Sequence, residues 1–220
     1  MLAKDLISDE IRPLQIGDTA ISALHWMDEF RTAYLPVVDG QQYMGILGED
    51  AIFSLGNFEE SLNEIPLIKA GTSVLQNQHI YEVIRIASLQ KLSLVPVVDE
   101  TGNYIGAVTQ QKMIDFMAGM TGVENPGGII IIESGQNDYY LSEISKIVES
   151  EEARVISAHV SSPSGSSQVE VTLKLNRMDI QQIVQSLDRH GFKIKASYFE
   201  TDYYEDLHDR YNSLMNFLNI

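Results

Sequence analysis

Thr109 and Lys112 bring a hydroxyl and an ammonium group, three residues apart, to the point where an apolar run leads into a predicted helix. The Lys112 ammonium could meet a phosphate if it points inward, but a lysine early in a helix is also commonly a solvated surface residue. Asn137 and Asp138 are a second polar pair, which precedes another predicted helix and can form its N-cap.

The remaining polar residues predict no catalytic or metal site. The chain contains no cysteine, which excludes disulfides, zinc–thiolate sites and thiol nucleophiles. A histidine paired with one carboxylate on a helix falls short of the three ligands of a zinc site. The five histidines are scattered along the sequence, at His25, His79, His159, His190 and His208. Trp26 is interpreted as a packing residue, and we predict that the protein is not an enzyme.

The charge balance disfavours several classes of partner. The chain has 15 basic and 31 acidic residues, a formal net charge of −16. Binding to nucleic acid and to anionic membrane surfaces both depend on lysine and arginine, so neither partner is expected. The sequence also shows no secretory signal and no apolar stretch of membrane-spanning length. We therefore expect a cytoplasmic protein.

A repeated phrase indicates how Thr109 and Lys112 are positioned. Residues 35–39 read LPVVD and residues 95–99 read VPVVD, and each phrase is followed by a turn and a second apolar run containing a glycine. Each phrase also follows a predicted helix and leads to another one. This self-similarity predicts two copies of one helix-strand-strand-helix unit, neither of which buries its apolar face alone. The predicted caps of the leading helices are Asp18 and Thr19 in the first copy and Asn77 or Gln78 in the second.

After residue 120 the order of elements changes. The stretch 121–128 is rich in glycine and is interpreted as a linker. Residues 129–198 predict strand-helix-strand-strand-helix-strand, which is the split βαβ, ferredoxin-like pattern. The last twenty residues carry an apolar stripe with coiled-coil spacing, at Tyr204, Leu207, Tyr211, Leu214 and Leu218. This stripe fits either a terminal helix docked on its own domain or a contact with a second subunit.

The repeated phrases resemble the cystathionine-β-synthase (CBS) domain pair, often called a Bateman module, and the later pattern resembles an ACT domain. Their order is similar to that of acetoin-utilisation CBS–ACT proteins, a resemblance of architecture alone. The resemblance implies an α+β fold: a tandem CBS pair plus a ferredoxin-like βαββαβ domain. The implied divisions are CBS repeat 1 at 1–60, CBS repeat 2 at 61–120, a linker at 121–128, an ACT-like domain at 129–200 and a C-terminal amphipathic helix at 201–220.

The resemblance also implies a ligand site in the cleft between the repeats. In that family the ligand is usually an adenosine-type nucleotide, so AMP, ATP and S-adenosylmethionine are the candidate ligands. A Ser or Thr contacts phosphate or ribose there, and an Asp three residues later accepts hydrogen bonds from the ribose hydroxyls. This chain has Gly48 and Ala51 at those places in the first repeat and Thr109 and Lys112 in the second, so both carboxylates are missing. Each loss weakens binding by about ten- to a hundredfold. The implied second-repeat site comprises Thr109, Lys112, Val95 and Pro96.

An amino-acid site in the ACT-like domain is the weaker implication. It would use Asn137 and Asp138 at a dimer interface, but Tyr140 stands where that family usually has glycine, and its ring opposes close backbone approach. The resemblance therefore implies a non-catalytic, homodimeric sensor with an unidentified protein target, which signals through dimer conformation. The alternative is a ligand-free dimerisation scaffold with degenerate CBS sites.

Overall fold

The protein has an α+β fold, as predicted. The computed structural model of the 220-residue chain describes residues 1–54, 58–59, 61–68, 71–136, 138–162, 165, 167–199 and 215. The chain divides into two compact units, Met1–Phe116 and Met117–Ile220. None of the helices in these described ranges has the length and apolarity needed to span a bilayer.

The first repeat forms a small sheet with a helix before and after its hairpin. Its elements are β1 (Leu14–Gln15), α1 (Ala20–Glu29), β2 (Tyr34–Asp39), β3 (Gln42–Gly48) and α2 (Glu49–Phe53). The strand order is β1-β2-β3, with β1 parallel and β3 antiparallel to β2. The central strand β2 reads as an unbroken apolar run because its middle residues are all buried.

The second repeat has the same elements in the same order. They are β4 (Val74–Leu75), α3 (Ile80–Gln90), β5 (Leu94–Val98), β6 (Tyr104–Thr109) and α4 (Gln110–Thr121). Here too the first strand is parallel and the third antiparallel to the central one. The prediction of two helix-strand-strand-helix units is confirmed. The two-residue strands β1 and β4 were not predicted, because they are too short to carry a periodic pattern.

The prediction that Asn77 or Gln78 caps α3 is wrong. His79 is the N-cap, and its Nδ1 accepts a hydrogen bond from the Tyr81 backbone N–H at 3.3 Å. The Gln78 side chain is engaged one turn earlier, where its Oε1 accepts from the Leu75 N–H at 2.7 Å. A short sequence of polar residues before a helix offers several capping groups, and the turn geometry selects among them.

The segment that leads into each repeat pairs with the sheet of the other repeat. The segment that leads into the second repeat pairs with β3 of the first, where Ile68 and Ile46 exchange two backbone hydrogen bonds of 3.0 Å. The segment that leads into the first repeat pairs with β6 of the second, where the Ser8 N–H donates to Ala107 O at 2.8 Å. Each sheet edge is therefore covered by a segment that belongs to the other repeat.

The two hairpin turns are also hydrogen-bonded to each other. The Tyr43 N–H donates to Gly102 O at 3.1 Å, and the Tyr104 N–H donates to Gln41 O at 2.9 Å. Tyr43 and Tyr104 occupy equivalent positions in β3 and β6, so the two bonds form a reciprocal pair about a pseudo-twofold axis. The Gln42 side-chain amide adds a third bond, from Nε2 to Gly102 O at 3.0 Å.

The side chains of these two tyrosines are kept neutral by burial. Burial raises the pKa of Tyr43 to about 12, against the smaller effect of its hydrogen bond with Thr72 Oγ1 at 2.9 Å. Burial also raises the pKa of Tyr104, and the proximity of Tyr43 raises it further. Among the described residues, Tyr104 has no hydrogen-bond partner for its buried hydroxyl. Two neutral phenols can therefore lie close to each other where the hairpins meet.

One continuous hydrophobic core joins the two repeats. Burying a side chain of the size of leucine or isoleucine contributes about 1.5–3 kcal/mol, so separating the repeats would expose a large fraction of the stabilising surface. The largest fully buried members of this shared cluster are Leu14, Leu35, Ile46, Leu47, Ile52, Leu62, Ile80 and Leu94.

The second unit has the ferredoxin-like pattern that the sequence predicted. Its elements are β7 (Ile129–Gly135), α5 (Leu141–Ser150), β8 (Val155–Ser161), β9 (Gln168–Leu175), α6 (Gln181–Arg189) and β10 (Lys193–Tyr198). The strand order is β10-β7-β9-β8, and all neighbours are antiparallel. Side chains of the sheet and of both helices form a separate core. The predicted C-terminal helix, 201–220, lies outside the described residues except for Met215.

Replacing Gly106 with alanine should destabilise the first unit. Gly106 has φ +150°, and a Cβ built there would lie 2.3 Å from Ile7 Cγ2 in the exchanged segment. We expect the Gly106→Ala variant to lose about 1–3 kcal/mol of unfolding free energy, measured by urea denaturation. Gly17→Ala is the matched control, because a Cβ at Gly17 meets no atom within 4 Å. Equal urea midpoints for the two variants would contradict this account of the exchanged segment.

The second hairpin turn should make stability depend on acid pH. Hydrogen bonds from the Thr101 hydroxyl and the Asn103 backbone lower the pKa of Asp99 from 3.8 to about 2. Because the pKa of Asp99 is lower in the folded than in the unfolded chain, the ionised carboxylate stabilises the fold. This contribution is complete above pH 4 and is lost as the pH falls toward 2. Asp99→Ala should lower the urea midpoint at pH 7 and flatten its decline between pH 4 and 2. Asp39→Ala, at the equivalent position, is the control, and an identical pH profile in Asp99→Ala and the wild type would refute the assignment.

Candidate functional site

A cleft of about 750 Å³ opens in the first unit beside the beginning of α4. It is lined by residues within 9–12, 26–32, 93–94 and 109–111, and is called the second-repeat cleft below. These stretches come from the segment before the first repeat, from α1 and from the second repeat. The exchange of segments between the repeats brings them together, since they are far apart along the chain.

Thr109 lines the second-repeat cleft, and its contact with a ligand stays a prediction. It is the last residue of β6, and its Oγ1 accepts a hydrogen bond of 3.4 Å from the Lys112 backbone N–H in the first turn of α4. Its O–H can still donate to a ligand. The Lys112 side chain is exposed and does not line the cleft, which agrees with the interpretation of a solvated helix residue.

Val95 and Pro96 lie behind the cleft and do not line it. Both are buried in β5, where Val95 pairs with Val108, so ligand contact by Val95 or Pro96 remains a prediction. The two preceding residues, Ser93 and Leu94, line the cleft instead. The Ser93 carbonyl also accepts from the Gln110 N–H at 2.8 Å, which fixes the beginning of α4.

Two stacked aromatic rings form one wall of the second-repeat cleft. Trp26 and Phe30 lie one turn apart on α1, with ring centroids 5.4 Å apart and an angle of 14° between the ring planes. Both rings also pack against the core, so the interpretation of Trp26 as a packing residue is incomplete. Their spacing of four residues was visible in the sequence, but only the fold shows that this helix face borders a cleft.

Charged side chains of both signs line the same cleft. Arg12 and Arg31 are the cations, and Asp9, Glu10 and Glu29 are the carboxylates. Arg31 follows the end of α1 and has a left-handed φ of 50°. Together these groups can pair with an anion and accept hydrogen bonds from hydroxyls of the same ligand.

A pair of hydroxyls from opposite repeats also lines the cleft. Thr32 Oγ1 and Ser93 Oγ are 2.7 Å apart. Thr32 Oγ1 donates to the Tyr34 carbonyl at 3.1 Å, so the hydroxyl proton between the pair belongs to Ser93. Ser93 Oγ is left with lone pairs that can accept a hydrogen bond from a ligand.

The equivalent cleft of the first repeat is much smaller. Its volume is about 240 Å³, and Ala33, Tyr34, Gly48 and Ala51 are among its lining residues. Gly48 and Ala51 bring no polar side chain, as the sequence predicted. The Tyr34 ring lies over Gly48, where a built Cβ would be 3.1 Å from Tyr34 Cε1. This cavity is called the first-repeat cleft below.

The weaker candidate site, in the second unit, is only partly described. Asn137 lies outside the described residues. Asp138 is exposed, its N–H donates to Gly135 O at 3.0 Å, and its carboxylate lies against Gly135. The interpretation that Asp138 caps α5 is wrong, because the N-cap is Tyr140, which makes no side-chain capping bond. In the described ranges, no group of three His, Asp or Glu side chains could hold a metal ion.

Comparison with known proteins found similar solved structures and one matching family model. A CBS domain pair/ACT domain protein from Thermotoga maritima is 20% identical, with a TM-score of 0.48 over 53% of this chain and 96% of that chain. Protein MJ1004 from Methanocaldococcus jannaschii is 18% identical, with a TM-score of 0.50 over 57% of this chain and 62% of that chain. CBSX2, solved in complex with AMP, is 16% identical, with a TM-score of 0.46 over 53% of this chain and 95% of that chain. These likenesses concern the fold alone. Residues 66–119 match the family model of the CBS domain, which identifies a CBS domain in the second repeat.

Proposed function

We propose that this chain is a non-catalytic regulatory protein that binds a small molecule in the second-repeat cleft. One observation carries the proposal: a single cavity of about 750 Å³ combines an aromatic wall, two arginines and the beginning of a twelve-residue helix. Cavities of this size that are apolar on one side and hold a few convergent polar groups are typical small-molecule sites. Regulation by such a ligand requires only different affinities for two states of the protein.

The ligand class that fits this lining is an adenosine-type nucleotide. A purine can stack on the Trp26 and Phe30 rings, and such base–aromatic contacts are worth about 1–3 kcal/mol each. A phosphate can accept hydrogen bonds from the Thr109 hydroxyl and from Arg12 or Arg31. Glu29 can accept from ribose hydroxyls in place of the missing family carboxylate. AMP, ATP and S-adenosylmethionine are therefore the ligands to test, and an amino acid bound by Asn137 and Asp138 is the less favoured proposal.

The wider architecture belongs to the same proposal. We assign a CBS pair to 1–60 and 61–120, a linker to 121–128, an ACT-like domain to 129–200 and a terminal amphipathic helix to 201–220. This order resembles that of acetoin-utilisation CBS–ACT proteins. The protein would act in the cytoplasm as a homodimer, and ligand binding would shift the dimer between two arrangements that a protein target distinguishes.

A second candidate function is a ligand-free dimerisation scaffold. Two observations favour it: neither Ala51 nor Lys112 supplies a ribose carboxylate, and the Tyr34 ring lies in the first-repeat cleft. In that case the second-repeat cleft would stay empty and the dimer would not respond to any nucleotide.

Trp26, the only tryptophan of the chain, makes the second-repeat cleft directly observable. Titration with AMP, ATP or S-adenosylmethionine should change its fluorescence saturably for at least one of them, and the same ligand should raise the melting temperature. Thr109→Ala should lower the affinity for that ligand by about 2- to 12-fold, because one hydrogen bond is lost.

Thr172→Ala, a threonine of β9 in the second unit, is the matched control and should leave the affinity unchanged. If the protein is a dimer and none of the three ligands changes its fluorescence or its melting temperature, the sensor function is refuted and the scaffold function is favoured.

A further inference from the structure

We propose that Tyr34 is a built-in occupant of the first-repeat cleft, so that each chain offers one ligand site and not two. Ligand binding in the second-repeat cleft rests on the proposed function. The filling of the first-repeat cleft by Tyr34 rests on geometry alone.

The equivalent positions of the two repeats show how the occupant arises. In the β2–β3 hairpin, Tyr34 is the cross-strand partner of Gly48. In the β5–β6 hairpin, the same register pairs Leu94 with Thr109. The backbone arrangement is therefore the same, and the first repeat has exchanged an aliphatic–threonine pair for a tyrosine–glycine pair.

Gly48 and the Tyr34 ring are sterically dependent on each other. A Cβ at Gly48 would lie 3.1 Å from Tyr34 Cε1 and 3.4 Å from Tyr34 Cδ1. The first distance is tighter than an ordinary van der Waals contact, so the ring covers the place that the Thr109 side chain takes in the second repeat. Aromatic side chains placed across from glycine are a known way of covering exposed strand backbone.

The first-repeat cleft is smaller than the second-repeat cleft and lacks two of its hydroxyls, although the Glu49 and Asp50 carboxylates line it. Its volume is about 240 Å³, against about 750 Å³ for the second-repeat cleft. Ala33 stands where the second repeat has the Ser93 hydroxyl, and Gly48 stands where it has the Thr109 hydroxyl. A ligand would therefore meet the tyrosine ring and no hydroxyl at either place. The smaller volume and the absence of both hydroxyls at the same site point to an internal occupant.

Removing the ring should create a cavity that the free side-chain analogue p-cresol fills. We expect Tyr34→Ala to lower the melting temperature, and millimolar p-cresol to recover a large part of the loss saturably, because ligand binding to the native state stabilises it. Tyr34→Phe keeps the ring and should show near-wild-type stability without a response to p-cresol. Thr109→Ala is the control, because it enlarges the second-repeat cleft, which is already open, and p-cresol should raise its melting temperature no more than that of the wild type.

Tyr34→Leu introduces the residue type that Leu94 has at the equivalent position, and it is the variant to use if Tyr34→Ala does not fold. Its melting temperature should also rise with p-cresol more than that of the wild type. The proposal is overturned if p-cresol stabilises neither variant more than the wild type. It is also overturned if calorimetry finds two equivalent nucleotide sites per wild-type chain. A wild-type chain that binds no nucleotide while p-cresol rescues Tyr34→Ala would refute the proposed sensor and leave Tyr34 as the occupant.

Discussion

The backbone hydrogen bonds that each repeat makes only with the other repeat are the constraint on which the first unit depends. Tyr43 and Tyr104 donate across the pseudo-twofold axis, and Ile68 and Ser8 pair with strands of the opposite repeat. A buried backbone group without a partner costs about 1–3 kcal/mol, so a separated repeat would lose both these bonds and its half of the common core. The repeats therefore stabilise each other, and the clefts exist only because the leading segments are exchanged.

Two pseudo-equivalent clefts built on one backbone plan can diverge without disturbing the fold. Register and turn geometry are set by the strands, so side chains at the cleft can change from Leu94 and Thr109 to Tyr34 and Gly48 while the pairing is kept. The result is an asymmetric module whose clefts measure about 750 Å³ and about 240 Å³, with the Tyr34 ring bordering the smaller one. Such asymmetry suits a sensor, since one half can respond to a ligand while the other remains a fixed support.

The parts of the fold that local pattern determines were predictable from the sequence. The duplicated phrases gave both hairpins, helical spacing gave the flanking helices, and Thr19 caps α1 as predicted. The second-repeat cleft was harder to predict from the sequence, because its lining comes from stretches that only the exchange of segments brings together. The roles of Trp26 and Tyr34 depend on which helix face and which cross-strand partner the tertiary structure gives them. His79 was missed as a cap because Asn77 and Gln78 are also capping residue types, and only the turn geometry shows that Gln78 accepts from the Leu75 N–H instead.

Native-state hydrogen exchange at the Tyr43 and Tyr104 amides tests the interdependence of the two repeats most directly. Each amide donates to the other repeat's turn, so opening either bond requires the hairpins to separate. The account predicts that both amides exchange with the same opening free energy, close to that of global unfolding of the first unit. Exchange of one amide through a local opening of much lower free energy, while the other stays protected, would show that the repeats open independently and would contradict it.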